Sequence, residues 1–404
     1  MKITGIVAEY NPFHMGHEYQ LKKARELSGC DAVAVVMSGN FVQRGEPAII
    51  DKFRRAEAAV HAGADIVIEL PLPFSCQNAE MFAFAAVNEL KKLQVTSLSF
   101  GCENDDPKML LKIAKAQLSD SYVKILKEEI KKGISFPTAM TNSLTTILGE
   151  ESRDAVLSPN NVLAVEYMKS AMKQNLKWDF YPVLRMGKNH NDEFVSGFFD
   201  SATAIRKAIL SSSSKNISAT EKSIEMFNDF YEKFNGFNSF ENYLDILYYK
   251  IIDLGIDGLG EIFEISEGLN NKIYDNLYKH STVDDFILSL KSKRYTYSKL
   301  RRALLNILLS IRHNDIKHFM SPNNHKYVKV LAFNNVGRNV IKHAKTFNTA
   351  AINRFSDYKK NSLIAEDLPL FRLTNKSTDL YYLPFRNRET NVEYKENAVY
   401  INDK

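Results

Sequence analysis

The chain is poor in everything that would hold it together covalently or place it in a bilayer. Its 404 residues include three cysteines, Cys30, Cys76 and Cys102. That odd number, without a Cys-x-x-Cys spacing, indicates neither a disulfide framework nor a cysteine zinc site, and all three read as packing residues. No stretch approaches the ~18 consecutive apolar residues of a membrane span, and the segment from Met1 to Tyr10 lacks the apolar core and cleavage site of a signal peptide. The expectation is a cytoplasmic protein with no membrane partner. Low-complexity sequence is confined to Ser211-Ser212-Ser213-Ser214-Lys215-Asn216. No G-x-G-x-x-G follows a strand and no Walker lysine loop occurs, which excludes the commonest dinucleotide and P-loop sites. No compact carboxylate cluster marks a metal held by the protein. What remains, 45% hydrophobic and 25% charged, is the composition of a folded chain of two or three domains.

Acidic residues are nearly missing from one segment. Between Lys291 and Lys345 there is one, Asp315, against thirteen lysines and arginines. The segment carries +12 of a chain whose net charge is +5, so the rest sums to −7. A stretch this one-sided repels itself unless a polyanion or an acidic neighbouring surface meets it, and nucleic acid is the usual polyanion. Tyr295, Tyr297 and Tyr327 lie in the same segment, with rings able to stack on bases. The alternative is a solvated basic surface packed against the acid-leaning stretch before it.

Short apolar runs at Ile3 to Ala8, Ala32 to Met37, Ile66 to Leu70 and Leu98 to Phe100 each give way to helical periodicity. That alternation predicts an α/β fold, a doubly wound parallel sheet covered on both faces. Helices are expected over Pro107 to Leu118, Tyr122 to Lys132, Thr138 to Leu148, Ser158 to Met172 and Ser201 to Leu210, with a strand from Trp178 to Leu184. The serine run suggests a boundary dividing residues 1–210 from a mainly helical, basic domain over 211–404, with one later strand at Tyr327 to Phe333.

The strongest local signal is Asn11-Pro12-Phe13-His14-Met15-Gly16-His17, directly after the first strand and before the first helix. In open parallel sheets ligands bind at the carboxyl ends of strands. Two imidazoles at a helix start can donate to phosphate oxygens, adding to exposed backbone N–H groups and the helix dipole. Gly16 lets a nucleoside approach the backbone. A metal pair or a tight turn with two surface histidines are the competing readings. Far along the chain, Ser201-Ala202-Thr203-Ala204-Ile205-Arg206 places hydroxyls at a helix start and an arginine one turn on, a pattern suited to β- and γ-phosphates. Gln43, Arg44, Asp51 and Lys52 form a polar cluster that borders a substrate pocket or caps the next helix, with Asp51 reading as the cap.

Together these elements resemble the signatures of the HIGH-type nucleotidyltransferase superfamily. Three longer strings narrow the resemblance to the tRNA(Met) cytidine acetate ligase family: Gly5 to His17, Met37 to Ala48 (MSGNFVQRGEPA), and Ser158-Pro159-Asn160-Asn161. Tyr295-Thr296 and Tyr327 to Asn334 are similar to its carboxyl-terminal motifs. The resemblance implies a Rossmann-like nucleotidyltransferase domain. It also implies that ATP and acetate form acetyl-adenylate, which acetylates N4 of the wobble cytidine of elongator tRNA(Met), with Mg2+ accompanying the triphosphate.

The implied ATP site comprises Val7, Ala8, Glu9, Tyr10, Asn11, Pro12, Phe13, His14, Met15, Gly16, His17, Glu18, Tyr19 and Gln20, then Gly101, Asn160, Asn161 and Arg185, with Ser201, Thr203 and Arg206. His14 and His17 would be the catalytic pair. From the basic segment, Lys293, Arg294, Lys299, Arg301, Arg302 and Lys329 are the candidates for tRNA contact. The run Lys188-Asn189-His190-Asn191-Asp192 and the Ser298-Lys299 pair depart from the family pattern. Two other functions remain open at this stage: a small-molecule adenylyltransferase, and an RNA-binding protein whose nucleotidyltransferase domain is inactive.

Overall fold

The computed structural model describes residues 1–103, 106–153, 155, 158–185, 200–211, 217–266, 268–292, 295–319, 327–360 and 368–402. The strands are β1 (Ile3–Ala8), β2 (Ala32–Ser38), β3 (Phe41–Val42), β4 (Glu46–Pro47), β5 (Ile66–Leu70), β6 (Ser97–Cys102), β7 (Asp179–Leu184), β8 (Tyr327–Phe333), β9 (Ala350–Ile352) and β10 (Val399–Tyr400). Helices of the first half are α1 (Met15–Ser28), α2 (Lys52–His61), α3 (Ala79–Lys92), α4 (Pro107–Gln117), α5 (Asp120–Lys131), α6 (Phe136–Leu148), α7 (Pro159–Lys173) and α8 (Ala202–Leu210). The second half adds α9 (Glu221–Phe234), α10 (Leu244–Gly260), α11 (Leu269–Asp275), α12 (Val283–Leu290), α13 (Tyr297–Leu309), α14 (His313–Phe319), α15 (Asn335–Lys345), α16 (Leu368–Tyr382) and α17 (Val392–Lys395).

Strands β5, β2, β1, β6 and β7 lie side by side and run parallel, in that order. The chain winds outward from β1 to β5, then returns to β1's other side for β6 and β7, so the switch in strand order falls between β1 and β6. That is where a doubly wound sheet opens a crevice at its carboxyl edge. The sheet is not wholly parallel, as the alternation had suggested. β8 pairs antiparallel with β5, and β9 and β10 both pair parallel with β8.

Alternation within the strands decides which face each side chain feeds. In β2, Ala32, Ala34 and Val36 enter one core while Val33, Val35 and Met37 enter the other. The first core lies under α3, α4 and α7, with Phe82, Leu110 and Met168. The second runs from Ile6 and Phe13 without a break into Phe230, Leu247, Phe286 and Leu304 of the helical half. The expected boundary near residue 210 therefore does not separate two cores. Helices α9, α10, α12 and α13 share one face of the sheet, α15 packs on the other through Val340 and Ala344, and β8 to β10 extend the sheet itself. Residues 212–216 of the serine run lie outside the described residues.

Candidate active site

The loop after β1 folds into the start of α1 through an unusual cap. His14 is the N-cap, with extended backbone, and its Nδ1 accepts from Gly16 N–H at 3.0 Å; the Nδ1 of His17 accepts from His14 N–H at 3.3 Å. This is the reciprocal arrangement of a capping box, built from imidazoles in place of a hydroxyl and a carboxylate. The two rings stack with centroids 3.8 Å apart, on a floor made by the buried rings of Tyr10 and Phe13.

Because Nδ1 of each ring accepts a hydrogen bond, the neutral ring must carry its proton on Nε2. Burial lowers the His14 pKa to about 4, with nearby Arg185 adding to the effect and Asp200 opposing it. His17 is held well below its ordinary value by burial, then by His14 and Arg185. Both rings are therefore neutral donors at pH 7, through Nε2–H.

The cap also corrects an expectation. The first backbone N–H groups of α1 are not exposed to an anion: Met15 N–H donates to the Ser218 carbonyl at 3.3 Å, Gly16 N–H to His14 Nδ1, and His17 N–H to the His14 carbonyl at 2.8 Å. The polar groups left to donate at this helix start are the Nε2–H groups of the two imidazoles.

Across the β1/β6 crevice a second group assembles. Gly101 and Cys102 end β6, and Glu103 follows. The Glu103 carboxylate accepts from Asn160 Nδ2 and from Asn161 N–H at 3.2 Å, while Asn161 Oδ1 accepts from Glu103 N–H at 3.0 Å. Arg185, just past β7, donates to Asn160 Oδ1 at 3.4 Å and lays its methylenes over Gly101, where an added Cβ would sit 3.4 Å from Arg185 Cγ. The four residues expected on this side are thus brought together, and Glu103, which ties two of them, was not anticipated. The available signal was its place immediately after a strand's carboxyl end. Residues 186–199, including the atypical run at 188–192, lie outside the described residues.

The distant serine-threonine-arginine segment also arrives. Ser201 caps α8, its hydroxyl accepting from Ala204 N–H at 3.2 Å. Arg206 donates to the Asn11 carbonyl at 2.8 Å and to Thr203 Oγ1 at 3.4 Å. Its Nη2 also meets Glu46 Oε1 at 3.1 Å, and the other oxygen of Glu46 pairs with Arg301 Nη2 at 2.5 Å. Glu46 is a second unanticipated residue, joining Arg206 at the histidine loop to the basic helix α13. Beneath both, the wholly buried Arg55 donates to the carbonyls of Glu9, Ser38, Gly39 and Ile50. It fixes the chain where β1 and β2 end.

The polar cluster after β2 divides. Asp51 caps α2 as expected, accepting from Phe53 and Arg54 N–H at 3.0 Å. Gln43 N–H donates to Glu9 Oε1 at 2.9 Å, and its side chain to the Gln77 carbonyl. Arg44 is exposed. Lys52 turns inward to Glu69 at 2.6 Å and Glu393 at 2.5 Å.

Several residues expected on an RNA surface are elsewhere. Lys329 is 3% exposed, donates to the Asn353 carbonyl at 2.7 Å and lies 3.6 Å from Glu393. Arg302 is 8% exposed and grips Glu264 at 2.8–3.1 Å. A cation buried against its own carboxylate has no counterions to release and cannot meet a phosphate without breaking that pair. Arg301 is taken by Glu46 and lies over the Tyr297 and Phe240 rings. Lys299, half-buried, covers Tyr295. Tyr295 and Tyr327 are core residues, and Lys293 and Arg294 lie outside the described residues. Among the described residues of this segment the exposed cations are Lys291, Arg312 and Lys317, with Arg338, Lys342 and Lys345 on α15.

Comparison with known proteins fits this geometry. Residues 1–396 match the HIGH Nucleotidyl Transferase family. The tRNA(Met) cytidine acetate ligase of Thermoanaerobacter sp. (strain X514) is 38% identical over 397 residues, 96% of each chain. The chain belongs to the tRNA(Met) cytidine acetate ligase family. Another member, from Clostridium perfringens (strain ATCC 13124), is 37% identical over 98% of each chain. The crystal structure of Thermotoga maritima TmcAL bound with alpha-thio ATP superposes over the whole of both chains with a TM-score of 0.90 at 33% identity. The apo form of that protein gives 0.91.

Proposed function

We propose that this chain joins acetate to N4 of the wobble cytidine of elongator tRNA(Met), using ATP. An acetate oxygen attacks the α-phosphorus, pyrophosphate leaves, and the cytidine amine then displaces AMP from acetyl-adenylate. The observation that carries the reading is the meeting of two segments 195 positions apart, Arg206 against the carbonyl of Asn11 in the histidine loop.

The roles follow from the chemistry of each side chain. His14 and His17 donate Nε2–H to phosphate oxygens as neutral groups, stabilising charge as it moves onto the leaving pyrophosphate. Arg206 supplies a permanent positive charge with further N–H donors for the β- and γ-phosphates. Asn160, Asn161 and Arg185 hold the nucleoside over Gly101. Magnesium would bring further positive charge to the triphosphate. No group of three or more potential ligands occurs among the described residues, so phosphate oxygens and water would supply most of its shell. RNA would approach over α13 and the exposed Arg44 of the turn packed on it. A cytoplasmic location suits these substrates, and no described helix is long and apolar enough to cross a membrane.

Acetate-dependent exchange of labelled pyrophosphate into ATP, measured without RNA, tests the first half-reaction. Exchange with acetate is expected. Its absence under conditions where ATP binds would contradict the reading.

A further inference from the structure

We propose that Glu9 accepts the proton that leaves the cytidine amine during acetyl transfer. The proposal rests on the ligase reading above. In that step a bond forms between N4 and the acetyl carbon, and the bond from that carbon to the phosphate oxygen breaks. AMP departs with the electron pair, and one N4 proton must go to a base.

The residues around the crevice leave few acceptors. His14 and His17 have Nδ1 occupied by backbone N–H groups and Nε2 already protonated, so neither has a lone pair to offer. Arg185 and Arg206 are permanent cations. Of the carboxylates on the adjoining loops, Asp200 is exposed, with one oxygen accepting from Ser218 Oγ at 2.9 Å, and three are engaged through both oxygens. Those of Glu46 pair with Arg206 and Arg301, those of Glu103 accept from Asn160 and Asn161, and those of Asp51 bind the α2 cap and Arg54. Glu9 differs. Its Oε1 accepts from Gln43 N–H at 2.9 Å, and its Oε2 has no partner among the described residues. The side chain is half-buried, so Oε2 retains a path to solvent.

Its place in the fold suits transfer between two bound substrates. Glu9 directly follows β1 and lies within the nucleotide loop, five residues before His14. Its partner Gln43 follows β3, and the turn after it packs on α13, where a Cβ added to Gly45 would sit 2.6 Å from the Arg302 nitrogen. Cys76 feels the charges of both Glu9 and Arg302. The carboxyl therefore stands between the nucleotide loop and the basic helix, where an acetyl group on the adenylate would meet an incoming nucleotide.

Burial, and then the Glu46 carboxylate, raise the Glu9 carboxyl above its ordinary value, while Arg44, Arg206 and the Gln43 N–H oppose them. Arg55 from α2, Tyr167 from α7 and Cys76 also lie within electrostatic reach. A carboxylate shifted upward is a better base than a free one.

The test is Glu9→Gln, which keeps the oxygen that receives Gln43 N–H but cannot take a proton. Because Glu9 lies in the loop assigned to ATP, pyrophosphate exchange by the same variant is the reference, and any fall in it should be far smaller than the fall in transfer. Single-turnover transfer from preformed acetyl-adenylate to elongator tRNA(Met) should fall by about 10²–10⁴-fold. The wild-type transfer rate should decline as pH falls through the raised Glu9 pKa, a decline that Glu9→Gln lacks. Transfer at the wild-type rate would overturn the proposal. So would exchange and transfer falling together, which would place Glu9 with the nucleotide or its magnesium. A wild type with no exchange would remove the ligase reading and this proposal with it, and is told apart because the exchange assay needs no RNA.

Discussion

At the scale of single residues, the two histidines do double duty. Each closes the N-terminus of α1 with one nitrogen and presents the other as a donor, so the cap sets the tautomer that the proposed phosphate contacts need. Proton linkage follows. The unfolded chain protonates His14 near the ordinary value of 6.5 and the folded chain only near 4, so between those values the unfolded state binds the extra proton. Stability from this group is complete above pH 6.5 and is lost as pH falls toward 4. Asparagine is a good N-cap with no charge to titrate, so His14→Asn removes this dependence while keeping a side-chain acceptor. On lowering pH from 7.5 to 5, urea unfolding should show the wild type losing roughly 2 kcal/mol more than the variant. Equal losses would contradict the neutral-donor assignment.

At the scale of elements, the β3–β4 hairpin is the hinge pin between nucleotide loop and basic helix. Gly45, at its turn, has φ +77, and its missing side chain admits the α13 backbone at Arg301 and Arg302. Gly45→Ala should cost at least about 1 kcal/mol in urea unfolding, from the positive φ and from the displaced helix. An unchanged midpoint would mean that the contact is not tight. The hairpin was not legible in the sequence, because two-residue strands leave no periodic signature. The longer strands were legible, since four short apolar runs followed by amphipathic helices admit little but a parallel sheet. So was the histidine loop, whose place after a strand the sequence alone reveals. The antiparallel entry of β8 was not, because pairing direction is not written in a strand's own residues. Charge counting misplaced Lys329 and Arg302, since a count sees sign and not partner. Lys329 did carry a warning: it is the lone charge in Tyr-Val-Lys-Val-Leu-Ala-Phe, a run otherwise wholly apolar.

At the scale of the whole molecule, three ion pairs among four charged residues far inside the protein tie distant segments together. Lys52 of α2 binds Glu69 of β5 and Glu393 of α17, and Glu393 in turn faces Lys329 of β8 and accepts from Thr378 of α16 at 2.5 Å. The last helix is thereby locked to the centre of the sheet. Lys52→Met leaves both carboxylates buried with only Lys329 to balance them and should destabilise the chain by about 3–5 kcal/mol in thermal or urea unfolding. A loss below about 1 kcal/mol would show that the network is not needed to hold the halves together. This shared interior is also why a sequence boundary at the serine run did not become a boundary between cores. It places the basic helix α13 beside the loop that follows β1, with Glu46 pairing Arg301 and Arg206. The most direct test of that account is nucleoside mass spectrometry of unmodified elongator tRNA(Met) after incubation with the protein, ATP, magnesium and isotope-labelled acetate, alongside His17→Ala. The account predicts labelled N4-acetylcytidine with the wild type, and a yield lower by about 10²-fold or more when the Nε2–H donor is removed. An unlabelled tRNA with the wild type, or equal labelling with the variant, would contradict it.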